Sequence, residues 1–108
     1  MAEPKGSGEG TESKAARELA DIDAVFSALA HPSRRQILLV LHYRGGELTA
    51  GEIAARFECT WPTTSRHLEQ LLAAGLVEQR KEGRQRVYRL ARERLRAVAG
   101  GWLANFEG

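Results

Sequence analysis

The sequence predicts a mainly α-helical fold with one small β-hairpin near the C-terminal end. Two observations lead to this prediction. Apolar residues recur at helical spacing along most of the chain, and residues 76–90 combine β-forming and basic side chains around a glycine. With 108 residues, of which 43% are hydrophobic and 28% charged, the chain can bury one modest core. We therefore expect a single domain over residues 15–108.

Residues 1–14 are predicted to form a disordered N-terminal tail. They are rich in Gly, Ser, Glu and Lys, and Met1 is their only large apolar residue. A segment of this composition cannot bury enough surface to offset the entropy lost on ordering.

Two amphipathic helices are expected after the tail. The first begins at Ala15, and its apolar stripe consists of Leu19, Ile22, Val25, Phe26 and Leu29. The pair His31-Pro32 ends this helix and begins the second, because proline suits a first helical turn. The second helix stops near residues 44–46 and is expected to bury Ile37, Leu38 and Leu41, with Leu39 and Val40 widening the stripe.

Two shorter helices are expected next. Thr49 and Glu52 have the spacing of a capping box, which predicts a short third helix with Ile53, Ala54 and Phe57 inside. Thr60 can cap a fourth helix that has Pro62 in its first turn and is closed by Gly75. Its buried face holds Thr64, Leu68, Leu71 and Leu72, and its outer face holds Thr63, Arg66, His67 and Gln70.

A hairpin and a last helix complete the chain. The strands are expected over residues 76–80 and 84–90, around a turn at residues 81–83 in which Gly83 permits a tight reversal. The last helix carries Leu95, Val98, Trp102, Leu103 and Phe106 at helical spacing. The order α-α-α-α-β-β-α with short links describes a winged helix-turn-helix.

The charge is concentrated in the hairpin. The net charge of the chain is only +2, but residues 1–23 carry three basic and six acidic side chains, which leaves +5 on the remainder. Residues 79–90 contain one acid, Glu82, and five basic residues: Arg80, Lys81, Arg84, Arg86 and Arg89. Such a patch indicates either contact with a polyanion or an ordinary solvated hairpin surface.

Several segments carry a family resemblance. Residues 31–38 (HPSRRQIL) resemble a D/H-P-x-R-x-x-I-L motif, and residues 47–54 (ELTAGEIA) resemble E-L-x-x-x-E-L-A. Residues 62–77 (PTTSRHLEQLLAAGLV) resemble P-x-x-S-x-H-L…L…A-G-L-V, and Gly83-Arg84 with Tyr88 and Leu90 resembles a wing. These motifs are similar to those of the ArsR/SmtB family of bacterial winged-helix repressors.

The resemblance implies a homodimeric repressor that binds a palindromic operator in double-stranded DNA. The first and last helices would form the dimer interface. The start of the family's recognition helix aligns with Trp61, Thr63, Thr64, Ser65, Arg66 and His67.

Physical arguments separate the roles within this block. Arg66 can donate a bidentate hydrogen bond to guanine or clamp a phosphate, and Thr63 and Ser65 can donate to bases or phosphates. His67 either reaches a phosphate or packs against the neighbouring helix. Trp61 stands where the family has a small polar residue, and it either contacts the DNA or packs against the turn. In the wing, Lys81, Arg84 and Arg86 are expected to reach the DNA backbone or the minor groove.

The dimer interface is expected where the two terminal helices carry more large apolar residues than a small monomer can cover. The expected interface residues are Leu19, Ile22, Phe26, Leu95, Val98, Trp102 and Phe106. The pair Gly100-Gly101 weakens the last helix and is explained either by close helix approach or by a local kink.

The sequence predicts no metal site, no cofactor and no enzymatic activity. The third helix has no cysteine, the last helix has no His, Cys or Asp, and no catalytic arrangement stands out. Cys59 is the only cysteine, which excludes an intrachain disulfide and suggests a reducing cytoplasm. It is either a redox sensor or a small buried hydrophobe. No apolar run reaches the roughly 20 residues of a membrane span.

One alternative function comes from another class of protein. A winged helix can act as a protein-interaction module, in which case the basic wing would meet an acidic partner protein.

Overall fold

The computed structural model of the protein describes residues 5–57 and 60–107, with side chains from residue 13 onward. It confirms the mainly helical fold with a small antiparallel sheet. Four helices precede the hairpin: α1 (Lys5–Leu29), α2 (Pro32–Tyr43), α3 (Ala50–Arg56) and α4 (Trp61–Ala73). None of the helices described has both the length and the apolar character needed to cross a membrane.

The sheet has three strands in the order β1-β3-β2: β1 (Glu47–Thr49), β2 (Val77–Glu82) and β3 (Gln85–Leu90). The hairpin strands were expected, but β1 was not, because a three-residue strand is too short to show a period-two pattern. The reversal lies at Gly83 and Arg84 rather than at residues 81–83, since Lys81 and Glu82 pair with Arg86 and Gln85. Gly83 has φ +60°, as the first central residue of a type II′ turn requires.

The core lies where the helices meet one face of the sheet. Val25 of α1, Leu41 of α2, Ile53 of α3 and Leu71 of α4 are at most 1% exposed. The expected burial of Ile37, Leu38 and Leu41 is confirmed. Leu39 was expected to widen the buried stripe, which is wrong, because it is 46% exposed. It stands two residues from both Ile37 and Leu41, which places it on nearly the opposite side of the helix from them.

The capping signals in the sequence are confirmed. The Thr49 side chain accepts from the Glu52 amide at 3.1 Å, and the Thr49 amide donates to Glu52 Oε1 at 2.8 Å, which completes the capping box. At the start of α4, Thr60 Oγ1 accepts from the Thr63 amide at 3.5 Å. Such side-chain acceptors satisfy backbone N–H groups that have no partner within the helix.

The end of α4 is closed by a Schellman motif. The Leu76 amide donates to the Leu71 carbonyl at 2.9 Å and the Gly75 amide to the Leu72 carbonyl at 3.0 Å. Gly75 has φ +76°, the left-handed conformation that favours glycine. The Arg94 guanidinium lies directly over it and leaves no room for a side chain.

The last helix is irregular. It starts as an α-helix (Arg92–Leu95), continues as a π-helix (Arg96–Gly100), returns to α (Gly101–Leu103) and ends as a 3₁₀ turn (Ala104–Phe106). We call residues 92–106 the C-terminal helical segment. The π-helical part ends at Gly100, and Gly101 follows it. A Cβ added at either of these two glycines would meet no other part of the described chain within 4 Å.

The first helix begins at Lys5, ten residues before the expected start at Ala15. Residues 5–14 of the predicted disordered tail therefore lie in helix, and residues 1–4 lie outside the described part of the chain. Helix propagation adds one hydrogen bond per residue, so a helix that is anchored by its buried end can extend through a polar segment.

The close packing at Gly75 makes a testable prediction. Gly75→Ala should lower the free energy of unfolding by about 1–3 kcal/mol for the left-handed backbone alone. The total loss of unfolding free energy should be larger, because the new Cβ at position 75 would collide with Arg94 Nε. Urea denaturation would measure the loss. Gly83→Ala is the matched control, since Gly83 is also left-handed but has open space around it; equal losses for the two variants would contradict the prediction.

Candidate nucleic-acid interface

The start of α4 exposes only part of the predicted recognition surface. Thr63 and Arg66 are exposed, Trp61 is 43% exposed, and Ser65 and His67 are half-buried. Thr64 was predicted as a DNA-binding residue, but it is only 2% exposed and faces the core. Its position in the helix, one turn before Leu68 and two before Leu71, explains the burial. Thr64 therefore cannot reach a nucleic acid in this arrangement.

The exposed side of the first turn is held by a local hydrogen bond. Thr60 Oγ1 donates to Thr63 Oγ1 at 3.2 Å, so the Thr63 hydroxyl has a defined position at the helix start. The hydrogen of the Thr63 hydroxyl remains available to donate to another group. Trp61 is the first residue of α4 and lies beside Ala50, Gly51 and Ala54 of α3. The tryptophan is 43% exposed, so contact with DNA and packing against the turn both stay as predictions for it.

His67 packs against the start of α2. Arg34 Nε donates to His67 Nδ1 at 3.3 Å, and the ring of His31 lies 6.1 Å from the ring of His67. Burial lowers the pKa of His67 below its ordinary value, and the positive charges of Arg34, His31 and Arg66 act in the same direction. Because Nδ1 accepts a hydrogen bond, the imidazole is neutral in this arrangement. The packing alternative for His67 is therefore the one that the geometry favours.

The two basic residues at the base of the wing are paired with acids. Arg80 donates to both carboxylate oxygens of Glu47, at 2.9 and 3.0 Å, and to Glu82 at 2.9 Å. These hydrogen bonds raise the pKa of Arg80, and the bond that Arg80 donates to Glu47 is the largest cause. The same bond lowers the pKa of Glu47. Arg89 Nε donates to Glu78 at 3.0 Å, and this contact raises the pKa of Arg89. Their charges are largely neutralised on the solvent face of the sheet.

The three basic residues nearer the wing tip have no such partner. Lys81, Arg84 and Arg86 are exposed, and none forms an ion pair with a carboxylate in the described parts of the chain. Lys81 and Arg86 stand directly opposite each other across the hairpin. Like charges in that position repel. A bound polyanion would relieve this repulsion.

A groove of about 400 Å³ joins the wing tip to the start of α4. Its walls are Trp61 on one side and Arg84, Gln85 and Arg86 on the other, with residues 49–51 between them. The fold thus brings together two segments that the sequence separates by more than 20 residues. Gln85 was not predicted as a site residue. Its place between two wing arginines is the signal that could have found it.

A second exposed surface is apolar. Phe26, Trp102 and Phe106 form a connected aromatic cluster, with ring centroids 5.3 Å apart for the first pair and 4.9 Å for the second. Trp102 remains 41% exposed and Phe106 71%. Of the other predicted interface residues, Leu19 is 64% exposed, and Ile22, Leu95 and Val98 are half-buried. Leu103, which was not in the predicted set, is 54% exposed.

No group of three potential metal ligands occurs among the described side chains. Cys59 lies outside the described residues, so the alternatives for this thiol stay as predictions.

Comparisons with known proteins agree with the geometry. A family model described as a helix-turn-helix domain matches residues 29–80. The transcriptional repressor SdpR of Bacillus subtilis is 37% identical over 82 residues, which are 76% of this chain and 88% of the repressor. A solved ArsR family transcriptional regulator superposes with a TM-score of 0.71 at 30% identity, over 80% of this chain and 86% of the other.

A further solved structure is similar to this chain. It is the homodimeric winged helix-turn-helix DNA-binding domain of a possible ArsR-family regulator from Mycobacterium bovis. The two chains are 35% identical, with a TM-score of 0.68 over 85% of this chain and 83% of that one.

The environment of His67 predicts a dependence of stability on pH. Its pKa is lower in the folded state than in the unfolded chain, so the unfolded chain binds the proton more readily. The contribution of His67 is therefore fully present above its ordinary pKa of about 6.5 and is lost as the pH falls below that value. His67→Gln cannot titrate, yet it can still accept from Arg34. Urea denaturation between about pH 7.5 and 5.5 should show a steeper loss for the wild type; parallel curves would contradict this.

Proposed function

The chain belongs to the ArsR/SmtB family of DNA-binding winged helix-turn-helix transcriptional regulators, and on that premise we propose that it acts as a homodimeric repressor of a palindromic operator. The observation that carries the proposal is the groove in which Trp61 of α4 faces Arg84 and Arg86 of the wing. This arrangement allows the helix start and the wing tip to contact one duplex at the same time.

The exposed residues of α4 would read the DNA sequence. A helix that enters the major groove by its N-terminal end presents its first turns to the base edges. In α4 these turns expose Thr63 and Arg66. Arg66 can donate two hydrogen bonds to guanine, whereas the hydroxyl of Thr63 donates to a base or a phosphate. Ser65 is less exposed and Thr64 is buried, so we assign specificity mainly to Arg66.

The wing tip would bind the backbone or the minor groove beside each half-site. Lys81, Arg84 and Arg86 are the wing cations without an ion-pair partner in the described chain. Phosphate contacts position a protein on DNA and release counterions, but they carry no sequence information. Arg80 and Arg89 are excluded from this role because Glu47 and Glu78 hold them on the other face of the sheet.

Two-fold symmetry would supply the second half-site. The similar Mycobacterium bovis domain is homodimeric. In this chain the aromatic cluster of Phe26, Trp102 and Phe106 is a large exposed apolar surface on the two terminal helices. Surfaces of this kind mark interfaces. A dimer with two α4 helices would bind half-sites about one helical turn apart. We also propose that residues 15–108 form the DNA-binding and dimerisation unit.

The wing assignment can be tested by a salt titration on a duplex selected from a random library. Replacing Arg84 and Arg86 by Ala should weaken binding to specific and random duplexes alike. It should also reduce the slope of log affinity against log salt by about 0.9 for each phosphate that the variant no longer neutralises. Fluorescence anisotropy over a range of salt concentrations would measure both effects.

The control for the wing experiment is Arg89→Gln, which removes a cation that is already paired with Glu78 on the opposite face. This variant should keep the wild-type salt slope. A double variant with unchanged affinity, or a control with the larger decrease in affinity, would contradict the assignment.

The dimer can be tested by a single charge on the aromatic cluster. Trp102→Glu places a carboxylate between Phe26 and Phe106, so the association of two copies should weaken strongly because a buried unpaired charge is costly. Sedimentation at micromolar concentration should show monomers, and operator binding should be abolished.

Trp61→Glu is the matched control for this experiment, since Trp61 has nearly the same exposure, 43% against 41%, but lies on the DNA side. This variant should remain dimeric. A wild-type protein that sediments as a monomer would overturn the homodimer proposal.

A further inference from the structure

A second groove, distinct from the DNA-facing one, lies between α2 and the start of the C-terminal helical segment. Its volume is about 660 Å³, within the range of roughly 300–1,000 Å³ that is usual for small-molecule sites. Its floor is formed by leucines of α1, α2, β3 and the C-terminal helical segment: Leu29, Leu38, Leu39, Leu90 and Leu95.

The rim of this groove is basic. Arg35 and His42 lie on the α2 side, and Arg92 and Arg96 lie one helical turn apart on the C-terminal side. None of the groove-lining residues is acidic. None of the three arginines forms an ion pair within the described chain, whereas Arg80, Arg89 and Arg94 are each paired with a carboxylate. The arginines at this groove are therefore available to bind another anion.

The existing hydrogen bonds leave donors free. Arg35 Nη1 donates to the Leu29 carbonyl at 2.7 Å, which holds its side chain at the rim. Arg92 Nη2 lies 3.2 Å from His42 Nδ1. A guanidinium has five N–H donors, so each of these groups can still bind a carboxylate.

We propose that this arginine-rimmed groove binds a small amphipathic carboxylic acid, with its apolar body on the leucine floor and its carboxylate on Arg92 and Arg96. The charge of the arginines favours an acidic head group, and the leucine floor favours an apolar body. Neither the DNA-facing surface nor the aromatic cluster supplies this combination.

The size and charge of the groove favour a small ligand over a second copy of the chain. The α2 wall spans about three turns, but the opposite wall spans little more than one turn of the C-terminal helical segment, which is short for a docked helix. An isologous contact would also bring the same arginines of two copies together, since a two-fold axis presents identical patches to each other.

The experiment uses the full chain without DNA, so its outcome is independent of the proposed repressor function. Octanoate is titrated into isotope-labelled protein, and backbone amide shifts are followed by NMR. Octanoate should saturate one site per chain, with shifts confined to α2 and residues 90–96. The uncharged probe 1-octanol should bind about tenfold more weakly, because it lacks the charge-assisted hydrogen bonds.

Two matched variants identify the site. Replacing Arg92 and Arg96 by Gln should weaken octanoate binding about tenfold or more, whereas the same change at Arg84 and Arg86 of the wing should leave it unchanged. Circular dichroism confirms that each variant is folded. Absence of saturable shifts, equal binding of 1-octanol, or binding that survives the Arg92/Arg96 change would overturn the proposal.

A last variant tests whether a second copy covers the groove. Leu39→Glu should leave the sedimentation coefficient unchanged, because Leu39 lines the groove away from the aromatic cluster. A shift to monomers would show that the groove is a contact between copies and would overturn the ligand proposal.

Discussion

The Arg94 guanidinium connects three separate parts of the fold. Its Nε donates to the Ala74 carbonyl at the end of α4, at 3.0 Å, and its Nη2 donates to Asp21 of α1, at 3.1 Å. This geometry requires a residue without a side chain at position 75, because a Cβ there would collide with the guanidinium. The end of the recognition helix is thereby held against both terminal helices. The contact thus joins the end of α4 to the two helical segments that carry the aromatic cluster.

The sheet sorts the charges of the hairpin by face and by distance from the core. Arg80 and Arg89 point to the solvent face, where Glu47, Glu78 and Glu82 surround them. Lys81 and Arg86 lie on the opposite face, beyond the last core residues of the sheet. Exposed ion pairs of this kind contribute little to stability. Because Arg80 and Arg89 are paired, the unpaired positive charge of the hairpin is concentrated at the wing tip, next to α4.

The same contrast between paired and unpaired arginines recurs elsewhere in the molecule. Arg94 is engaged with Asp21 and the α4 carboxyl end, whereas Arg92 and Arg96 on the same segment face the leucine-floored groove without an acidic partner in the described chain. The large apolar side chains likewise divide into a buried group and an exposed group. The leucines that build the core are buried, and the aromatic rings of Trp102 and Phe106 remain largely exposed. The protein thus carries three surfaces of different chemistry: a basic one, an aromatic one, and an apolar groove with a basic rim.

The sequence alone determined the features that depend on neighbours along the chain. Helical spacing, the capping box at Thr49, the cap at Thr60 and the helix end at Gly75 are local, and each was predicted correctly. The candidate DNA-binding residues of α4 and the wing were also proposed from the sequence. Only the tertiary structure decided which of these residues are available. It buries Thr64 and engages His67 with Arg34. It also pairs Arg80 and Arg89 with carboxylates, whereas Arg84 and Arg86 have no ion pair within the described chain. These outcomes depend on strand register and helix packing, which join residues up to 33 positions apart. A short strand such as β1 has no periodicity of its own, so its pairing with β3, which places Glu47 beside Arg80, is visible only in the folded chain.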